Sequence, residues 1–109
     1  MSEARELTTE EVRKRFLENV VQSVRYWQGQ TDQSVEARIE GVAFSILVAL
    51  DGEAGDLPKF AVMPEPHPSE MDRDIANGDN YFPSLSRDGA GDIAGGLHDR
   101  FHAALQGED

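Results

Sequence analysis

One long apolar run constrains the fold of this chain more than any other feature. It covers residues 38–52, RIEGVAFSILVALDG, in a sequence that is otherwise polar and acidic. Because apolar side chains leave water on folding, we expect the core to form around this run and the other elements to pack on it. The run indicates where the core lies, but it indicates no activity.

The length and composition predict a small single domain. A chain of 109 residues matches the common domain size, and we expect one domain over 1–109 with an ordered core at about 8–105. The absence of cysteine excludes disulfides, thiolate zinc sites and cysteine nucleophiles. No apolar run approaches the roughly 20 residues that cross a bilayer. We therefore expect a cytoplasmic protein that does not associate with membranes.

The negative charge is unevenly distributed along the chain. The formal net charge is −11; residues 1–40 contain six Lys/Arg and eight Asp/Glu, whereas residues 41–109 contain four and thirteen. An acidic surface disfavours direct nucleic-acid binding, since phosphates need a positive counterpart. Solubility alone explains such a charge, but basic partners or cations would also suit it.

The first forty residues carry the clearest helix signal. Thr8 and Glu11 form a capping-box pattern, after which apolar residues recur at helical spacing. This pattern predicts a helix at about 8–28 that ends near Gly29. Its apolar stripe could serve the core or a homodimer; the members are Val12, Phe16, Leu17, Val20, Val21, Val24 and Trp27.

The apolar run itself allows two interpretations. Its spacing favours a second helix over 34–50, which would form an antiparallel hairpin with the first. Alternatively the helix ends at Gly41 and residues 42–50 form a buried strand, since periodicity alone does not assign short apolar runs.

The remainder predicts short strands and a final helix. Phe60–Met63 and Tyr81-Phe82 are apolar segments of strand length, and Asn77-Gly78 is typical of a turn. Residues 69–76 suit a helical turn or a strand edge. A last helix over 92–105, capped by Asp92, completes an α+β fold with an irregular middle section.

Two histidines form the sharpest chemical pattern. His98 and His102 are four residues apart on the expected last helix, so they share a face and could chelate zinc. Asp99 stands where a zinc hydrolase places its general base, although aspartate is shorter than the usual glutamate. His67, Asp92 or a loop carboxylate would have to supply the third ligand. The alternative is two half-exposed histidines beside an apolar stripe, with no cofactor.

Two weaker patterns concern acidic loops and aromatic residues. The segment 72–79, DRDIANGD, resembles a calcium loop but is out of register with it, and Asp51, Glu53 and Asp56 could also gather a cation; solvated turns explain both. A groove for a ligand or partner could be lined by Trp27, His67, Tyr81 and Phe82, which could equally complete the core.

Several segments resemble a family of small bacterial and phage-associated hypothetical proteins. They are the apolar run ending in Leu50-Asp51-Gly52, then LPKF at 57–60, PHP at 66–68, NGDNYF at 77–82 and DIAGGLHD at 92–99. The likeness covers about residues 35–102. It supports one domain and implies no activity and no catalytic residue.

These observations favour a function without catalysis. We expect an acidic binding or interaction domain of unknown function, with a protein partner and a homodimer among its assemblies. A metal-binding protein or a hydrolase using His98, Asp99 and His102 is the alternative. An acidic phage-type inhibitor is a further one, but the acids are scattered among turns rather than concentrated on one face.

Overall fold

The computed structural model describes residues 4–83 and 91–107, and these residues are helical wherever they are regular. The helices are α1 (Thr9–Gln28), α2 (Val35–Leu50), α3 (Pro68–Ala76) and α4 (Leu97–Leu105). Within the described residues there is no strand and no sheet. The predicted α+β class is therefore wrong, whereas the helical interpretation of 42–50 agrees with α2.

The start of α1 has the predicted capping box. The Glu11 backbone N–H donates to Thr8 Oγ1 at 3.1 Å, and the Thr8 N–H donates to Glu11 Oε1 at 3.0 Å. Each residue thus satisfies a backbone donor that a helix start leaves without a partner. Arg5 adds an ion pair to the Glu11 carboxylate, which holds the pKa of Glu11 at about 2.

Helices α1 and α2 form a hairpin that depends on a glycine. The Trp27 ring of α1 lies directly over Gly41 of α2, where a Cβ atom would fall 2.4 Å from ring carbons. The Trp27 indole N–H donates to Ser45 Oγ at 3.1 Å. Gly41 therefore allows a close approach of the two helices that alanine would block.

Helix α4 also packs on α2, and α3 packs on none of the three other helices. Phe44 of α2 meets Phe101 of α4 with ring centroids 6.4 Å apart. Phe16 of α1 meets Phe60, which follows α2, at 5.4 Å. Helix α2 is thus the central element, as the apolar run predicts.

The predicted strands are replaced by extended segments held by single bonds. In Phe60–Met63 the Ile93 N–H donates to the Val62 carbonyl at 2.7 Å, but the Val62 N–H donates to Asp92 Oδ1 instead of a backbone carbonyl. A side chain therefore takes the place of the second rung of a ladder. Tyr81-Phe82 is likewise irregular and exposed.

Two helix boundaries also differ from the prediction. Residues 68–76 form a full helix in which His67 is the N-cap and Asn77 the C-cap, so the Asn77-Gly78 turn ends a helix rather than joining strands. The last helix begins at Leu97, not at 92, because Gly95 and Gly96 have φ angles of +96° and +107°. These left-handed conformations interrupt a helix between Asp92 and Leu97.

The molecule is thin, and it buries little apolar surface. Its radius of gyration is 17.9 Å, whereas a compact chain of this length has about 13 Å. Its extents are 51 × 47 × 18 Å. Among the described residues, the buried apolar side chains are Ala49 and Leu57 alone, and neither is large. In the same residues, no helix is long and apolar enough to cross a membrane.

Candidate functional site

Asp51, at the end of α2, binds the start of α4. Its Oδ1 accepts from the Gly95 N–H at 2.6 Å, and its Oδ2 accepts from the His98 N–H at 2.8 Å. The His98 ring Nδ1 lies 2.5 Å from the same Oδ2. Since the N-cap Gly96 has no side chain, a carboxylate 44 positions away from Gly95 acts as the cap of α4. We call this arrangement the Asp51–His98 anchor.

The anchor pairs an ionised carboxylate with a readily protonated imidazole. Burial disfavours the charge on Asp51, but bonds from the His98 backbone and ring and from the Gly95 and Leu97 N–H groups outweigh it, so the pKa of Asp51 lies well below its ordinary value. The bond to Asp51 raises the pKa of His98 against the opposing effect of desolvation; Asp99 adds to the rise. Asp99 Oδ1 is 3.3 Å from His98 Nε2.

The two histidines predicted as metal ligands both pack on Phe44. The His98 ring meets it edge-on with centroids 5.8 Å apart, and the His102 ring stacks on it at 5.5 Å. His98 Nδ1 faces Asp51 and its Nε2 faces Asp99, so both ring nitrogens lie beside carboxylates. In the part of the chain that the structure describes, no group of three His, Asp or Glu side chains is arranged around a common metal position. The zinc site stays a prediction that the structure does not test.

A second carboxylate, Asp92, fixes the segment after α2. Its Oδ1 accepts from the Val62 N–H at 2.7 Å and from the Ala94 N–H at 3.0 Å, and its Oδ2 pairs with Lys59 Nζ. The contact with Lys59 and these backbone bonds lower the pKa of Asp92 to about 2. Asp92 therefore holds this segment in place and is not the predicted helix cap, since the N-cap of α4 is Gly96.

The residues predicted to line one groove have separate local roles. Trp27 fills the contact between α1 and α2. His67 caps α3, with its Nδ1 3.2 Å from the Ser69 N and 2.7 Å from Ser69 Oγ. Tyr81 and Phe82 follow α3 and are 51% and 69% exposed.

The acidic segment 72–79 is mostly helical. Asp72 and Asp74 belong to α3, and the Asp79 N–H donates to the Asp74 carbonyl at 2.8 Å as the chain leaves the helix. Asp51, from the other acidic set, is occupied by α4. The structure thus gives these acids helix and turn roles.

The most extensive candidate surface is an apolar face on the open side of the hairpin. Its members recur at spacings of four and three on both helices; we call it the hairpin face, comprising Leu17, Val21 and Val24 of α1 with Val35, Ile39 and Val42 of α2. Four of them are exposed: Leu17 by 60%, Val21 by 44%, Val35 by 63% and Ile39 by 65%.

The two rows of the hairpin face meet where α1 ends and α2 begins, whereas Leu17 and Val21 line a separate depression formed by α1 residues alone. A shallow groove of about 250 Å³ runs between the two rows where they meet, lined by Val24 and Gln28 from α1 and by Val35, Ile39 and Val42 from α2. An exposed apolar area spanning two helices, with charged residues at its rim, is typical of a protein contact surface.

The sequence indicates part of these sites. The apolar stripe of α1 is evident, but its division into a side facing α2 and an open side requires knowing where α2 packs. The anchor was missed, because spacing along the chain does not show that Asp51 and His98 meet.

Comparisons with known proteins add no information on these sites. No family model, curated protein or solved structure has significant similarity to the chain.

Proposed function

We propose that this chain is a non-catalytic interaction domain whose contact surface is the hairpin face. One observation carries the proposal: apolar side chains of both helices line one open groove, and four of the six members of the hairpin face are exposed on a molecule that buries few apolar side chains. Leaving such a surface in water costs about 25 cal/mol for each Å² that a partner could cover. A covering protein would recover that free energy.

Charge supports a protein as the partner. The net charge of −11 repels phosphate backbones, so nucleic acid is disfavoured. The rim of the hairpin face contains both signs, with Glu10 and Glu18 beside Arg13, Lys14 and Arg25. A polar rim with both signs of charge is typical of protein–protein interfaces, and the partner could be a second copy of this chain. The proposed compartment is the cytoplasm, where a cysteine-free chain is suited to reducing conditions.

Cysteine labelling tests whether the hairpin face is covered in cells. The natural chain has no cysteine, so a single introduced thiol reports one position. Val21→Cys places it on the hairpin face, and Met71→Cys is a matched control on α3 with nearly equal exposure, 39% against 44%. We expect maleimide to label Cys at 21 about tenfold more slowly than Cys at 71, since coverage slows reagent access. Equal rates would contradict the proposal.

The metal-dependent alternative has its own test. His98→Ala combined with His102→Ala should abolish bound zinc if these two residues are ligands. Elemental mass spectrometry of protein purified without chelator, before and after the double change, measures this directly. One zinc ion per chain in the wild type, lost in the double variant, would favour the alternative.

A further inference from the structure

We infer that the hairpin face binds a second copy of this chain, so that two hairpins form a symmetric four-helix bundle. This inference rests on the proposed function, because it names the partner of the same surface. Two-helix hairpins with one open apolar side bury that side efficiently by pairing, and each apolar row then lies against a row of the other copy. A twofold axis makes one face serve both subunits.

The apolar spacing fits helix pairing. Leu17, Val21 and Val24 are separated by four and three residues, the repeat by which a helix keeps one seam toward a neighbouring helix. Val35, Ile39 and Val42 repeat the same spacing on α2. Since the two rows meet across one groove, a flat two-helix surface is presented rather than a slot for a single helix.

Charge favours a like partner over a strongly basic one. Residues 9–50, which contain the hairpin, have five Lys/Arg and six Asp/Glu, whereas residues 51–109 have four and thirteen. The acidic excess therefore lies outside the contact, and two nearly neutral hairpins meet without strong repulsion. A partner selected by charge would be expected to face the acidic part instead.

A second copy would supply hydrogen-bond acceptors for Arg38, a cation beside the groove. Arg38 lines the groove, and within the described chain its buried Nε has no hydrogen-bond partner. Its Nη1 lies 3.5 Å from the Gln28 carbonyl, a weak bond at the limit of the range. Glu10 and Glu18 lie beside Leu17 and Val21 of the hairpin face. In a dimer, the corresponding carboxylates of the second copy are the acceptors that we expect near Arg38.

The dimensions agree with a dimer interface. Helix α1 has 20 residues and α2 has 16. At 1.5 Å per residue and about 10 Å between axes, the whole open side of the hairpin measures roughly 30 by 20 Å, and the hairpin face covers roughly 12 Å of that length. The projected area of the open side is on the order of 500 Å² per copy, and the uneven side-chain surface adds to it. Standard interfaces bury ~800 Å² per partner. Pairing would also thicken a molecule whose thinnest extent is 18 Å.

Sedimentation equilibrium of the purified chain tests the inference. We expect a mass twice the 12.0 kDa of one chain at micromolar concentrations. Ile39→Glu should weaken dimerisation by about 100-fold, because it places a charge in the middle of an apolar contact. Ile75→Glu is the matched control, since it changes the same residue type at similar exposure on α3. It should leave the dimer intact.

The outcomes separate this inference from the proposed function. A folded wild-type monomer at these concentrations overturns the dimer, as does a dimer lost in Ile75→Glu and kept in Ile39→Glu. If the monomer coincides with slow labelling of Cys at 21 in cells, another protein covers the face and the proposed function survives. If labelling is also fast, both fail. Should Ile39→Glu lose its helical circular dichroism, a bifunctional maleimide decides: it must link two copies of Val21→Cys and must not link two copies of Met71→Cys.

Discussion

At the scale of single residues, Asp51 is the side chain that joins α4 to the end of α2. It is 7% exposed and accepts backbone hydrogen bonds from the start of α4. A buried N–H group that loses its acceptor is left without a hydrogen bond, so its desolvation penalty destabilises the folded state. Position 51 therefore connects two helices that the chain itself separates by a long segment.

We expect Asp51→Ala to lower the free energy of unfolding by about 2–4 kcal/mol, because it leaves the N–H groups of Gly95 and His98 without their acceptor. Urea denaturation followed by circular dichroism measures the change. Asp56→Ala removes an exposed carboxylate from the following loop and should cost less than about 0.5 kcal/mol. Equal losses in the two variants would show that the anchor contributes little.

The anchor also predicts a defined dependence of stability on pH. The pKa of His98 is raised, so its contribution is complete below the ordinary histidine value of about 6.5 and is lost as pH rises through the folded value. The pKa of Asp51 is lowered, so its contribution is complete above about 4 and is lost as pH falls toward the folded value. Stability from this pair should be greatest at about pH 4–6.5.

Urea midpoints across neutral and mildly alkaline pH test the histidine part. The wild type should lose stability as pH rises above about 6.5, and His98→Gln should lose less of it. His102→Gln, which changes the exposed histidine stacked on Phe44, should retain the wild-type slope. An unchanged slope in His98→Gln would mean that another group is responsible.

At the scale of elements, the hairpin depends on the contact between Trp27 and Gly41. Alanine normally stabilises a helix interior by about 0.5–1 kcal/mol relative to glycine. Here the added Cβ would lie 2.4 Å from the indole, so we expect Gly41→Ala to destabilise by about 1–3 kcal/mol. In a Trp27→Leu background the same change should be neutral or stabilising, and a double-mutant cycle by urea denaturation measures the coupling. Additive effects of Gly41→Ala and Trp27→Leu would show that the indole does not contact position 41.

Helix α3 is expected to contribute little to the stability of the others, since it packs on none of them. Ile75, which is 54% exposed, should tolerate Ile75→Ala with a loss of about 0.5 kcal/mol or less. A buried isoleucine would cost about 2–5 kcal/mol. A loss in that higher range would show that α3 is covered in the assembled protein.

The sequence predicts those elements whose signals are local. Thr8 and Glu11 are three residues apart, so the start of α1 is readable directly, and the spacing within 35–50 favours the helix that is observed. Residues 60–63 and 92–96 were predicted wrongly for two different reasons. Val62 pairs with Asp92, and two left-handed glycines delay α4. The first fact depends on a residue distant in the chain, whereas the glycine pair is a local signal that the predicted start at 92 did not follow.

At the scale of the whole molecule, thinness is the feature that calls for an explanation. A domain of 109 residues ordinarily gains its stability from one enclosed core. Here Ala49 and Leu57 are the buried apolar side chains among the described residues. If a second copy completes the core, unfolding must depend on protein concentration.

We therefore expect the thermal midpoint to rise as the protein concentration increases, because dissociation and unfolding are linked. Differential scanning calorimetry over a hundredfold range of concentration measures the shift; Ile39→Glu should show a low midpoint that no longer changes. A wild-type midpoint independent of concentration would indicate that one chain is stable alone.

The bond between Asp51 and the start of α4 makes the segment between them a closed loop. Gly95 lies 44 positions after Asp51, and α3 occupies the interior of that interval without packing on the helices outside it. Closing a loop becomes only about 0.6 kcal/mol less favourable when its length doubles. Insertions or exchanges around α3 should thus be tolerated as long as Leu57, Phe60, Val62 and Asp92 keep their contacts. The chain has a modular plan: a frame of α1, α2 and α4 carries α3 as an exchangeable insert.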